Sequence, residues 1–109
     1  MKFEFAEMNG YRLVRITEDI TRESDLNELK SIVRQNLDSG TTNLAVSFTH
    51  ASNFYSPLIA VLVQFLGYVK EHDGNLAVVH PNEGMLDVLK LVGLGKLMLL
   101  YTSEDKIGT

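Results

Sequence analysis

One serine in this chain stands where a hydroxyl oxygen has an electrostatic use. Ser56 precedes Pro57 and a long apolar stretch. Serine is favoured as a helix N-cap and proline in the first helical turn, so the pair predicts a helix entry. The first backbone N–H groups of a helix lack partners and its dipole concentrates partial positive charge there, so an oxygen or a phosphate at Ser56 is stabilised. The plainest reading of the residue is a structural cap. His50, His72 and His80 are candidate metal ligands, but no pair has the i, i+4 spacing of a helical motif and the chain has no cysteine. Ser56 with His50 does not make a hydrolase either, because a GxSxG elbow is absent. The string Gly93-Leu94-Gly95-Lys96 lacks the spacing and the final Ser or Thr of a phosphate-binding loop, and its glycines suit a helix C-cap. No catalytic residue, metal or cofactor is expected.

Composition narrows the partners. Ten Lys and Arg stand against 14 Asp and Glu in 109 residues, a net charge of −4, which gives a nucleic-acid backbone little to grip. The longest apolar run, Pro57 to Val69, contains Gln64 and is too short for a membrane helix of about 20 residues. The amino-terminal MKFEFAEMNG carries acids where a signal peptide has its apolar core. A bacterial-type cytoplasmic protein of one domain, residues 1–109, is expected, large enough to bury roughly 65% of its unfolded surface.

The elements that must position Ser56 follow from hydrophobic periodicity. Phe3, Phe5 and Met8 lead to Asn9-Gly10, and Tyr11, Leu13, Val14 and Ile16 resume the extended pattern, which predicts a hairpin. From Thr21 the period turns helical through Leu26, Leu29, Ile32, Val33 and Leu37, ending near Gly40. NLAVSFT (43–49) and NLAVVH (75–80) predict two buried strands, and the stretch from Ser56 to about Asp73 predicts a helix between them. Asn82 caps a third helix that ends at Gly93, and Leu97 to Tyr101 forms the last strand. The fold class is α/β with a mixed, mostly parallel sheet, in the order β-β-α-β-α-β-α-β with right-handed crossovers. The tail SEDKIGT is short and polar.

This order and two local strings resemble a STAS domain, the module of anti-sigma-factor antagonists, over nearly the whole chain. VSFTHASNFYSPLIAVL matches the family's strand, loop and phosphoacceptor helix. MLDVLKLVGLGKLMLLYTSED matches its leucine-rich helix, Gly-Leu turn and last strand. The resemblance places Ser47 and Tyr55 at positions where the family favours acids, and Ser56 at the serine that partner kinases phosphorylate. Glu18-Asp19-Ile20-Thr21 matches a further string, with Thr21 at its final acid. Pro57-Leu58 stands where the family has Ser-Gly.

The resemblance implies a protein that binds an anti-sigma factor of the serine-kinase type and is switched by phosphorylation at Ser56. A phosphate there adds about −1.5 to −2 charges beside a contact surface. The helix after Ser56 is apolar nearly all round, so Tyr55, Ser56, Leu58, Ile59 and Leu62 are expected to contact a partner, unless neighbouring helices complete the cover. A homodimer stays open. Two alternatives remain. One is an adaptor without the phosphoswitch, similar to the STAS subunit of a phospholipid-transport ABC complex. The other is a small-molecule or lipid binder that uses the apolar helix as a pocket wall.

Overall fold

Asn9 and Gly10 both take positive φ, 50° and 84°, the type I′ turn that an Asn-Gly pair favours because its twist matches that of the flanking strands. The turn joins β1 (Phe3–Met8) to β2 (Tyr11–Ile16), antiparallel with Met8 opposite Tyr11 and Phe3 opposite Ile16. The computed structural model describes residues 1–79 and 82–109. After the hairpin come α1 (Leu26–Asp38), β3 (Leu44–Ser47), α2 (Ser56–Glu71), β4 (Leu76–Val79), α3 (Glu83–Leu91) and β5 (Leu99–Tyr101). Short 3-10 turns at Leu94–Lys96 and Glu104–Lys106 complete the set.

The five strands lie side by side in chain order, β2 to β5 all parallel. Each right-handed crossover therefore steps the same way across the sheet and leaves its helix on the same face. Strand alternation does the rest. Val14, Ile16, Leu44, Val46, Leu76 and Val78 pack into one cluster with the buried residues of the helices, whereas Tyr11, Leu13, Ala45, Ala77 and Val79 face the other way. The expected architecture is present, with a few boundaries moved. Residues 21–25 form a turn capped by the Thr21 and Ser24 hydroxyls and then by Asp25, whose side chain accepts from the Asn27 N–H at 3.0 Å. That local bonding holds off the helix until Leu26. The end of the predicted strand 75–80, at His80, lies outside the described residues.

The back face of the sheet is covered by the tail expected to be merely polar. Ile107 is fully buried there, over the small side chains of Ala45 and Ala77. The Asn9 amide donates to the Ile107 carbonyl at 2.7 Å, and the Gly108 N–H donates to the Tyr101 hydroxyl at 3.3 Å. Arg15, on this same face of β2, forms a two-point pair with Glu104, Nε to Oε2 at 2.8 Å and Nη2 to Oε1 at 2.5 Å.

Hydrogen bonds from Arg15 hold the Glu104 carboxyl below its ordinary range, against partial desolvation and with a smaller contribution from the Ser47 hydroxyl. A depressed folded pKa contributes stability that is present above the unfolded pKa and lost as pH falls through the folded one. Urea titrations of wild type and Glu104→Gln are therefore expected to differ by about 1 kcal/mol at neutral pH, since the pair is only partly buried. The difference should shrink as pH drops below about 4.3, the ordinary glutamate value. A gap independent of pH would remove the ion pair from the account.

Candidate functional site

β3 ends at Ser47 and α2 begins at Ser56, so the loop between them sets the pose of the helix start. Small polar side chains hold this loop. The Ser52 hydroxyl accepts from the Ile20 N–H at 3.0 Å and shares a 2.8 Å hydrogen bond with the Thr49 hydroxyl, which itself bonds Asp19 at 2.5 Å. The Asn53 N–H donates to the Ile20 carbonyl at 2.9 Å, tying the loop to the one that leaves β2. From the other side the Asn82 amide donates to the His50 carbonyl at 2.5 Å, while its oxygen caps α3 through the Met85 N–H. Phe54 is buried beneath the loop, edge-on to Phe48 with ring centroids 4.8 Å apart. The result is a rigid platform at the carboxyl ends of the parallel strands, where open α/β sheets present their sites.

On that platform the N-cap is Tyr55, and Ser56 and Pro57 occupy the first helical positions. The expectation that Ser56 caps α2 is corrected by one residue, and no side chain caps this helix. Tyr55 cannot do so because its hydroxyl is too far from its own backbone. Ser56 is exposed and its hydroxyl makes no hydrogen bond among the described residues. Pro57 contributes no N–H, and the Ile59 N–H already donates to the Tyr55 carbonyl at 3.1 Å. The amides left at the helix start for an anion are those of Ser56 and Leu58.

Leu58 and Leu62 do not belong to a contact surface. Both are fully buried in the core with Val61, Phe65 and Val69, because α1 packs alongside α2 and, with the sheet, covers that side. The neighbouring-helix alternative holds for these two. What α2 turns outward is a different strip: Ser56, Ala60, Val63 and Gly67 are exposed, with Tyr55 and Ile59 half-buried beside them. Their spacing of four, three and four residues keeps them on one side of the helix. The sequence pattern contained this strip, masked by the surplus of apolar residues on α2.

The remaining flagged residues separate. Thr21 is exposed in the turn before α1, close in the fold to the Ser56 loop through the Ile20 contacts. Ser47 is buried on the opposite face of the sheet, in contact with Glu104. Of the histidines, His50 lies in the loop and His72 at the end of α2, bonded to the Tyr68 carbonyl at 2.9 Å, while His80 is outside the described residues. No three His, Cys, Asp or Glu side chains gather as a metal set among the described residues. None of the described helices is long and apolar enough to cross a membrane.

No protein-family model and no curated protein matches the chain. Several solved structures do resemble it. A Thermotoga maritima protein described as a candidate anti-sigma factor antagonist superposes with a TM-score of 0.83 at 20% identity, over 95% of this chain and 89% of its own. A STAS-domain protein of Planctomyces limnophilus gives 0.80 at 14% identity, over 95% and 92%. SpoIIAA of Bacillus, in its phosphorylated form, gives 0.71 at 17% identity, over 97% and 96%. The five-stranded sheet with its three helices on one face is the STAS fold.

Proposed function

We propose that this STAS-fold chain works by binding another protein, as an antagonist of an anti-sigma factor, and that phosphorylation of Ser56 controls the contact. One observation carries the reading. A serine hydroxyl stands exposed and unbonded at the first turn of an uncapped helix, on a loop braced from both sides. The similar solved structures include anti-sigma factor antagonists, one of them phosphorylated, which supports the same role.

The mechanism is electrostatic and involves no bond chemistry by this protein. In the unmodified state the strip of Tyr55, Ser56, Ile59, Ala60 and Val63 is apolar or neutral and can be desolvated cheaply against a partner. A partner serine kinase supplies ATP, whose γ-phosphoryl group is transferred from the β-phosphate to the Ser56 oxygen, releasing ADP while the hydroxyl proton passes to the kinase. The Ser56 and Leu58 amides and the helix dipole stabilise the new phosphate. The fold therefore tolerates the modification while the surface gains about two negative charges that a partner must desolvate.

The test joins modification to binding. Incubation with an anti-sigma-type serine kinase and ATP, followed by intact mass spectrometry, should add one phosphate, and Ser56→Ala should abolish it. In calorimetry against the same kinase, Ser56→Asp should weaken binding about tenfold or more while Ser56→Ala stays near wild type. An unmodified wild type, with Ser56→Asp binding unchanged, would favour the second reading. That reading is a constitutive adaptor of the kind that braces the nucleotide-binding subunit of a transporter, and Tyr55 at the cap with Pro57 behind it is the feature that favours it. A lipid-binding role through α2 has less support, because Leu58, Leu62 and Phe65 fill the protein's own core rather than a pocket wall.

A further inference from the structure

The corner where α3 turns into β5 sets two lysines beside exposed aliphatic side chains. Residues 88–103 contain no Asp or Glu but include Lys90 and Lys96, in a chain whose net charge is −4. In the same turn Leu91 is 86% exposed, Leu97 56% and Val92 49%, the most exposed large aliphatic side chains among the described residues, level with Val63 at their lower end. Isolated exposed leucines are ordinary, but a cluster flanked by like charges marks a contact surface. Beside it lies a groove of about 490 Å³ lined by Lys90, Gly93, Gly95, Lys96 and Leu100. Gly93 and Gly95 add no side chain to this lining, and Lys90 and Lys96 are its two cationic members.

We infer that this corner docks a short acidic segment of a partner protein, with an apolar side chain seated in the groove and carboxylates meeting Lys90 and Lys96. Charge decides among the occupants. A second copy related by a two-fold axis would set the lysine pair against its own mate, which is repulsive. An anionic membrane gains about 1 kcal/mol per lysine near its surface, too little from two lysines on a body that is itself anionic. A carboxylate-bearing peptide meets the lysines, and the acid nearest them in the chain, Asp87, stands one turn back on α3.

The corner lies at the amino ends of β4 and β5, whereas Ser56 follows the carboxyl end of β3. The two surfaces are at opposite ends of the parallel strands, so a partner at one leaves the other open. The corner can therefore add a second contact to the same complex or bring in a different protein, and it does not depend on the Ser56 reading.

A display library of random short peptides, selected on the intact protein and counter-selected on a K90E/K96E double variant, tests the proposal. Enriched peptides should pair Asp or Glu with a leucine-, isoleucine- or phenylalanine-type anchor. Synthesised, they should shift the backbone amide resonances of residues 90–101, bind the double variant about tenfold or more weakly, and weaken in salt. Neutral or basic winners, shifts elsewhere, or equal binding to the double variant would overturn it. So would concentration-dependent self-association in sedimentation velocity, or co-sedimentation with phosphatidylglycerol vesicles that the double variant loses. Leu97→Ser, which removes an anchor without changing charge, should also weaken the peptides while its circular-dichroism melt stays near wild type.

Discussion

Gly74→Ala is expected to lower stability by about 3 kcal/mol or more, at the upper end for overpacking because the obstacle is backbone. A methyl group on Gly74 would sit 1.6 Å from the Thr42 carbonyl oxygen and 2.5 Å from its carbon. Neither atom belongs to a side chain that can swing away. This is the point where the chains entering β3 and β4 come side by side. The Leu44 N–H donates to the Asn75 carbonyl at 3.0 Å, and the Asn75 N–H donates to the Asn43 side chain at 2.9 Å. Separating Thr42 from residue 74 therefore pulls on the first rungs of the two central strands. Thermal denaturation should show a midpoint lower by about 10–20 °C. Gly67→Ala is the paired control. That glycine is exposed on α2 with nothing within 4 Å of the added carbon, and the substitution should stabilise by about 0.5–1 kcal/mol. If both variants melted alike, the close approach at Thr42 would not be a feature of the folded protein.

Ile107→Ala should cost about 2–4 kcal/mol, the range for a large aliphatic side chain removed from a filled core. Its neighbours Ala45 and Ala77 lie on central strands and have no side-chain atoms to move into the vacated space. Ile107→Asp should do more, since the carboxylate cannot stay buried unpaired and the tail must lift from the sheet. The Asp variant should then bind a hydrophobic dye and lose hydrogen-exchange protection on β2, β3 and β4. Urea denaturation of the two variants, with partner binding measured in parallel, separates this face from the Ser56 surface. Affinity for the partner should hold in Ile107→Ala under conditions where the variant is folded. A loss below about 0.5 kcal/mol in the Asp variant would mean that the tail is a loose appendage.

Residues whose neighbours are close in the chain were legible before the fold was known. Asn9-Gly10 carries its own turn geometry, and Asn82 caps α3 as its type and position indicate. The strands β3 and β4 are apolar on both sides because both faces of the sheet are covered, so their continuous apolar runs marked them as central. Residues whose role depends on distant chain were not legible. Ile107 is one aliphatic residue in a polar tail, with no period to reveal it, and its burial depends on alanines 62 and 30 positions away. Leu58 and Leu62 looked available for a partner because periodicity measures how apolar a helix is and not which neighbour covers it. The Ser56 strip was legible only in part. The serine and the proline fixed the helix entry to within one residue, but Tyr55 as the cap followed from backbone geometry that residue types do not encode.

The arrangement of strands in chain order has a consequence for synthesis in the cell. Residues 102–109 follow every strand, so the face of the sheet that they cover, with Tyr11 and Leu13 of the first-made hairpin on it, is closed only after all five strands have been synthesised. Until the tail clears the ribosomal tunnel, that surface is open to trigger-factor-like holdases or to another unfinished copy. Slow codons placed just upstream of residue 102 would prolong the vulnerable interval and lower the soluble yield without changing a single amino acid.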